Sequence, residues 1–385
     1  SSVAGCGEGP GRCGARSPMA PAGSAVSFRY GTGAKGRGVE KGRRSLKQPR
    51  GLHVQEDGTL LVADYGNHCV VRFAPGDARG KVVAGEEGKR LPDIDIMKDI
   101  DRPLGAPEGE GFLLKQPIDV CLGPEGSVWV LDNEEARVQG FGGKGGAATQ
   151  VAPPPSGSYL KSHSTPEAVK NPRSAIVAPD GAVVICDSWS HRVLRYMPVG
   201  SPEAAEKPTV LAGTANSAGQ GPDQLFFPSC VAYGPDGALY VSDTNNHRVQ
   251  RFAPGSLEGT TVAGSLFGVA GEGLCDLNMP TGIAFERDGS LLVADRANAR
   301  VLRFAAGSKG GDQGEEVAGP DILQRPWGLC VGADGAVYVS DERLASVLKL
   351  GGEEAPATPA AAADEEDEAD EEVEADEQTV QQAGG

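Results

Sequence analysis

The sequence predicts an all-β chain: six four-stranded antiparallel sheets closed into a ring, a six-bladed β-propeller. Three observations predict it. A unit running from Pro to a large apolar residue recurs six times without gaps. Each unit alternates β-rich runs with Gly-containing turns. The last unit lacks a fourth strand, and a strand-like segment ahead of the first unit can supply it.

The units open at Pro49, Pro117, Pro172, Pro228, Pro280 and Pro326. A glycine follows nine residues later in each: Gly58, Gly126, Gly181, Gly237, Gly289 and Gly335. An aspartate follows fifteen residues after the Pro: Asp64, Asp132, Asp187, Asp243, Asp295 and Asp341. Val70, Val138, Val193, Val249, Val301 and Val347 come next, and Phe73, Phe141, Tyr196, Phe252, Phe304 and Leu350 close the units. Such a register of residue types marks a repeat architecture.

Within a unit, a short apolar stretch such as Gly282–Phe285 reads as the first strand. A turn ending in Asp-Gly follows, replaced by Glu125-Gly126 in the second unit. Gly tolerates the positive φ of tight hairpin turns. The next run, such as Leu239–Ser242, is apolar nearly throughout, as expected of a strand covered on both faces. The repeat Asp then opens a second turn, where its carboxylate can accept backbone N–H bonds. A third strand follows, such as Arg300–Phe304. A fourth is marked by Val-Ala-Gly-like endings at Val83–Gly85, Leu211–Gly213, Val262–Gly264 and Val317–Gly319, with a weak match at Val151–Pro153.

Four antiparallel strands repeated six times make a propeller, and closing the ring leaves only short edges. Residues 25–30 are expected to supply the outer strand of blade six and so join the two ends of the ring. The expected domain runs over 25–350. The Gly/Pro-rich segment 1–24 and the acidic segment 351–385 read as disordered. A closed ring of this kind is expected to be monomeric.

The repeat resembles the NHL family. The likeness is carried by Asp64–His68, Asp243–Val249 and Asp295–Val301, with the Pro-x-Gly pieces at Pro49, Pro280 and Pro326. The resemblance implies an interaction module, as in ubiquitin-ligase and kinase proteins and RNA regulators. Related six-bladed propellers include a metal-dependent amidating lyase and calcium lactonases. The sequence has no RING-type Cys/His cluster, kinase signature or thioredoxin motif. A fold of this kind does not by itself fix a function.

The net charge is −17, unevenly spread. Residues 1–50 hold ten Lys/Arg against two acids, whereas 351–385 hold thirteen acids and no base. The body between them carries a net −12. An acidic body argues against nucleic acid as the main partner. No 18-residue apolar run suggests a membrane span, and residues 1–24 lack the apolar core of a signal peptide. Of eight cysteines, none forms a C-x-x-C pair and most fall in strands, as small apolar residues do. Together these point to a reducing, cytoplasmic setting.

No G-x-S-x-G, H-E-x-x-H or P-loop pattern occurs, so no catalytic residue, metal ligand or cofactor is assigned. His68, His191 and His247 share the slot four residues after the repeat Asp, on blades one, three and four. That slot begins the third strand, two strand spacings or roughly 10 Å outward from the innermost strand, so histidines on these blades are expected to lie far apart and read as architecture rather than as a metal site. His53 and His163 have no recognisable partner. The acidic insert with Asp93, Asp95, Asp99 and Asp101 reads as a solvated loop without a calcium pattern. Asp119 stands out because Gly51, Ser174, Cys230, Gly282 and Gly328 fill its slot elsewhere; it is read as a solvated polar residue near the channel mouth, with a calcium or acid role as the alternative.

The functional expectation is positional. Loops entering the first strand and loops after the repeat Asp emerge on one ring face. Arg50, Tyr65, Asn133, Arg173, Trp189, Asn245, Thr281, Arg296, Trp327 and Arg343 occupy those slots. Trp, Tyr and Arg are the types that anchor interfaces, so the leading reading is a scaffold with a protein partner on this face. In that reading Trp189 and Trp327 bind a partner without supporting stability. The alternatives are a metal-dependent lyase or lactonase-like hydrolase and a binder of single-stranded RNA.

Overall fold

The structure is a computed structural model that describes residues 26–31, 44–89, 113–142, 149–152, 168–197, 201–202 and 207–352. The ring falls within one unit, Ser1–Glu353, and the second unit, Glu354–Gly385, lies outside the described residues. The readings made for residues 1–24, for the tail beyond Gly352, for His163 and for the Asp93–Asp101 insert also fall outside them.

Six four-stranded antiparallel sheets form the blades. Five of their innermost strands begin at the repeat proline, as in Pro49–Val54, Pro117–Leu122 and Pro326–Val331, and the fourth begins two residues later at Cys230. A strand beginning with Pro loses no ladder hydrogen bond that the first position needs. Four of the six second strands, among them Leu60–Asp64 and Leu291–Asp295, are buried at every residue, and Val128 and Tyr240 are half-buried in the other two. The hairpin glycines Gly58, Gly126, Gly181, Gly237, Gly289 and Gly335 all adopt φ between 72° and 86°. In five blades the preceding acid tightens the turn, as where the Ala238 N–H donates to Asp236 Oδ1 at 3.1 Å.

The ring closes as expected. Val26–Tyr30 pairs antiparallel with Ser346–Leu350, with Val26 opposite Leu350 and Tyr30 opposite Val347. Tyr30 is buried and packs edge-on against Phe73 of blade one, with centroids 5.3 Å apart. Its cluster joins Leu52, Leu60 and Val62 of blade one to Tyr338 and Val347 of blade six. The N-terminal strand therefore supplies both ladder bonds and an inter-blade core.

The repeat aspartates act differently from the sequence expectation. Asp64, Asp187, Asp243 and Asp295 do not cap the backbone of the short 3-10 turn they precede, though Asn67, Asn246 and Asn298 within those turns donate their side-chain N–H to Asp64, Asp243 and Asp295 at 2.8 Å. Each aspartate instead accepts a backbone N–H from 17 residues upstream, in the segment entering its own blade: Lys47, Lys170, Phe226 and Asn278, at 2.6–2.7 Å. Asp132 takes both Lys115 and Gln116. Asp341 takes Gln324 and Arg325 and alone also caps its own turn, through Arg343 and Leu344. In blades three to five an arginine five residues on completes a buried ion pair, at 3.0 Å for Arg192–Asp187, 2.9 Å for Arg248–Asp243 and 2.7 Å for Arg300–Asp295. Blade one has Cys69 in that slot instead of an arginine, and burial pushes the Asp64 carboxyl up to about 6.

The shared histidine slot is also architectural. His68, His191 and His247 end the 3-10 turn in the left-handed region, at φ 60°, 56° and 54°. Each ring then reaches the segment entering the next blade. His191 Nδ1 accepts from Phe227 N–H at 3.2 Å and His247 Nδ1 from Met279 N–H at 3.1 Å. His68 Nδ1 lies 2.7 Å from the Lys115 carbonyl and donates to it. Burial holds His191 and His247 below the usual histidine value, which favours the neutral ring that can accept such a bond.

Removing one member of a buried ion pair strands the other charge. Asp243→Ala should lower the unfolding free energy by about 3–5 kcal/mol, read by urea denaturation. Tyr30→Ala should cost a similar ~3–5 kcal/mol, the range for deleting a large buried aromatic side chain.

Candidate functional site

The residue after each repeat Pro stands at one end of the axial channel. A cavity of about 160 Å³ is lined by innermost strands of all six blades. Midway along them lies the ring of Gly51, Asp119, Ser174, Cys230, Gly282 and Gly328. Blades approach closely here: a Cβ on Gly282 would lie 2.5 Å from the Trp327 carbonyl oxygen, and one on Gly328 2.4 Å from that of Arg50. Gly51 leaves the space that Asp119 fills, since its Cβ would sit 2.1 Å from Asp119 Oδ1.

Asp119 was expected to be solvated and near the mouth. It is instead tied into the channel wall, with Oδ1 accepting from Val120 N–H at 2.9 Å and Oδ2 from Ala175 N–H of the next blade at 3.0 Å. Burial pushes its carboxyl up to about 6. The expectation failed because the glycine opposite, on another blade, is invisible to a blade-by-blade reading. His53 lies on the same lining. Among the described residues no three His, Cys, Asp or Glu side chains converge to hold a metal ion.

At the mouth, five of the ten face residues come together. Arg50 lies over the Tyr65 ring, with its guanidinium carbon 3.6 Å from the centroid. The Trp327 indole receives Arg50 at 4.5 Å, Arg296 at 5.1 Å and Arg173 at 5.7 Å. Glu342 organises two of these arginines: Arg50 Nε donates to Oε1 at 2.9 Å and Arg296 Nη2 to Oε2 at 3.1 Å. Arg325 adds a looser pair at 3.4 Å. Arg173 donates to the Ser229 hydroxyl at 3.1 Å and pairs with no carboxylate among the described residues. Burial pulls Arg173 below the usual arginine value, and the charges of Arg50 and Arg296 push the same way.

The other face residues separate into two kinds. Asn133 and Thr281 are buried and bind carbonyls of the next blade, Asn133 to Pro172 at 2.6 Å and Thr281 to Pro326 at 3.4 Å. They hold blades together and do not form contact surface. Trp189, 58% exposed, and the exposed Arg343 stand out on the rim, and Asn245 is half-buried there. The division follows the turn geometry: the first residue after the repeat Asp points to the axis and the second points outward. Glu342 and Arg325 were missed by the sequence reading. Glu342 is the only acid directly after a repeat Asp, and that departure from the pattern is the signal that marks it.

Trp327 is only 7% exposed and packs in a cluster with Ile118, Trp129 and Val169. It therefore supports stability as well as the mouth, contrary to expectation.

The NHL repeat model matches residues 46–73, 114–141, 227–252 and 277–304. The Arabidopsis thaliana protein named "Protein SUPPRESSOR OF QUENCHING 1, chloroplastic" is 26% identical over 300 residues, covering 70% of this chain and 26% of that protein. The chain thus spans about a quarter of that relative's length. The chloroplast location in that relative's name overturns the expected cytoplasmic setting. A gluconolactonase from Xanthomonas campestris is similar at TM-score 0.54 and 16% identity, over 80% of this chain and 87% of that one. An auxiliary nutrient binding protein from Bacteroides thetaiotaomicron is similar at TM-score 0.57 and 13% identity, over 84% and 75%. At these identities the likenesses show the fold alone. Among the described residues no helix is long and apolar enough to cross a membrane.

Trp327→Ala should lower the unfolding free energy by about 3–5 kcal/mol, whereas Trp189→Ala should change it by less than ~0.5 kcal/mol. The raised pKa of Asp119 gives a signed pH effect. Its contribution to stability is full below the unfolded aspartate value near 4 and is lost as pH rises through about 6. Melting curves from pH 4 to 7 should therefore show Asp119→Asn gaining on the parent by a few degrees over that window and holding its gain above it.

Proposed function

We propose that this chain, an NHL-repeat propeller of six blades, is a binding module that seats a protein partner on the ring face around the channel mouth. The observation that carries the reading is the gathering of Trp327, Tyr65, Arg50, Arg173 and Arg296 at one point of that face, with Trp189 and Arg343 exposed on its rim. Trp, Tyr and Arg dominate the residues whose truncation weakens interfaces, and such anchors cluster near the interface centre. The rim supplies accessible contacts and the mouth a preorganised centre. The small share of the chloroplast relative that this chain covers supports a module working within a larger protein, in a plastid setting.

A metal-dependent lyase or lactonase would need ligands converging in the channel. The likeness to a gluconolactonase keeps that reading in the test, and Asp119 is the channel carboxylate it would use. Affinity capture of partner proteins from the source cells, quantified by mass spectrometry, tests the first reading. The double variant Trp189→Ala/Arg343→Ala should lose at least about tenfold of the recovered partner, the scale of 1.4 kcal/mol, with an unchanged melting temperature. Equal recovery by parent and variant refutes this face as the binding surface. A stoichiometric divalent ion in elemental analysis of the purified protein would favour the hydrolase reading.

A further inference from the structure

The channel mouth carries charge that its own carboxylate does not balance. Three guanidiniums surround one indole, and Glu342 answers only Arg50 and Arg296, with Arg325 as a third claimant on the same carboxylate. This happens in a ring whose net charge is strongly negative. Concentrated and partly buried positive charge is unfavourable unless a counter-charge arrives. Local packing does not call for it, since the equivalent slots after Pro hold Ile118, Ser229 and Thr281 in the other blades.

We infer that Arg50, Arg173 and Arg296 form a receptor for one carboxylate, an Asp or Glu side chain of an acidic peptide segment. Guanidinium forks bind carboxylates through paired N–H donors. Arg50 and Arg296 are held in place by Glu342, and Arg296 Nε is a buried donor without a partner among the described residues. Arg173, a group of five N–H donors, gives one of them to the Ser229 hydroxyl at 3.1 Å. Trp327 closes one side of the site, so an incoming anion loses water as it meets the arginines.

Size and charge select the ligand. The axial cavity of about 160 Å³ corresponds to roughly five waters at ~30 Å³ each, the room of one short side chain. Asp119 on the same lining repels an anion from passing deeper. A nucleic acid needs a track of cations along its backbone, whereas here the cations gather at a single point. The site thus reads a single acidic residue projecting from a peptide laid across the face.

This inference rests on the partner-binding reading but can fail separately. Fluorescence anisotropy on the full chain uses a labelled Asp/Glu-rich peptide, its Asn/Gln counterpart and a U-rich RNA oligomer. The acidic peptide should bind at least tenfold more tightly than its neutral counterpart. Arg173→Ala should weaken it at least tenfold, and Arg173→Lys should recover only part, since it keeps the charge and loses the fork. Melting curves of both variants establish that they fold, and Arg296→Ala gives a second reading of the same site. Equal binding of acidic and neutral peptides overturns the inference, as does binding unaffected by both Arg173→Ala and Arg296→Ala. RNA binding tighter than the peptide with the same arginine dependence reassigns the site to phosphate. If the acidic peptide fails while the rim variant still loses its natural partner, the partner face stands and the carboxylate receptor alone falls.

Discussion

The ring depends on a buried carboxylate that reaches back 17 residues along its own blade. The repeat Asp sits at the end of the second strand and holds the backbone that enters the first. That bond fixes where each innermost strand starts and hence the height at which the residue after Pro meets the axis. The arginine five residues later and the asparagine three residues later share the same carboxylate, as Arg248 and Asn246 do on Asp243. The histidine slot then passes the alignment to the next blade through its ring nitrogen. These donors offset part of the burial penalty on the carboxylates, and the result is a rigid register between turn and lead-in that no apolar contact would specify so narrowly.

With register fixed, six equivalent positions are delivered to the channel mouth and another six to its rim. Where the repeat is obeyed, those positions hold blades together, as Asn133, Thr244 and Thr281 do by binding the first carbonyl of the following blade. Where blades one, three, five and six depart from the repeat, they place Arg50, Arg173, Arg296, Glu342 and Trp327 within reach of one another. The chemistry of the molecule therefore lies in the exceptions to its own pattern.

The fold was legible because its signals are local and repeated: the Asp-Gly turn, the apolar second strand and the Val-Ala-Gly ending each appear within a few residues. The closing strand was legible from what the last unit lacked. What the sequence hid were relations between blades. Asp119 was misplaced because the glycine that accommodates it is 68 residues away, at Gly51. Asn133 and Thr281 looked like surface because nothing in their own unit shows the carbonyl they bind. Trp327 was read as a free anchor since its packing partners Ile118 and Trp129 belong to another blade. Glu342 carried a signal, an acid breaking a column of neutral and basic residues, but its meaning needed the two arginines it joins.

Blade six is built from both ends of the ring, and Val26 lies opposite Leu350 in the same ladder. Polypeptide entering and leaving the propeller therefore does so side by side. A module of this form can be spliced into a longer chain as a loop would be, without pushing its neighbours apart. The same arrangement makes tension between the two flanking strands act on a single seam, so mechanical load from outside would be felt first where Val26 pairs with Leu350.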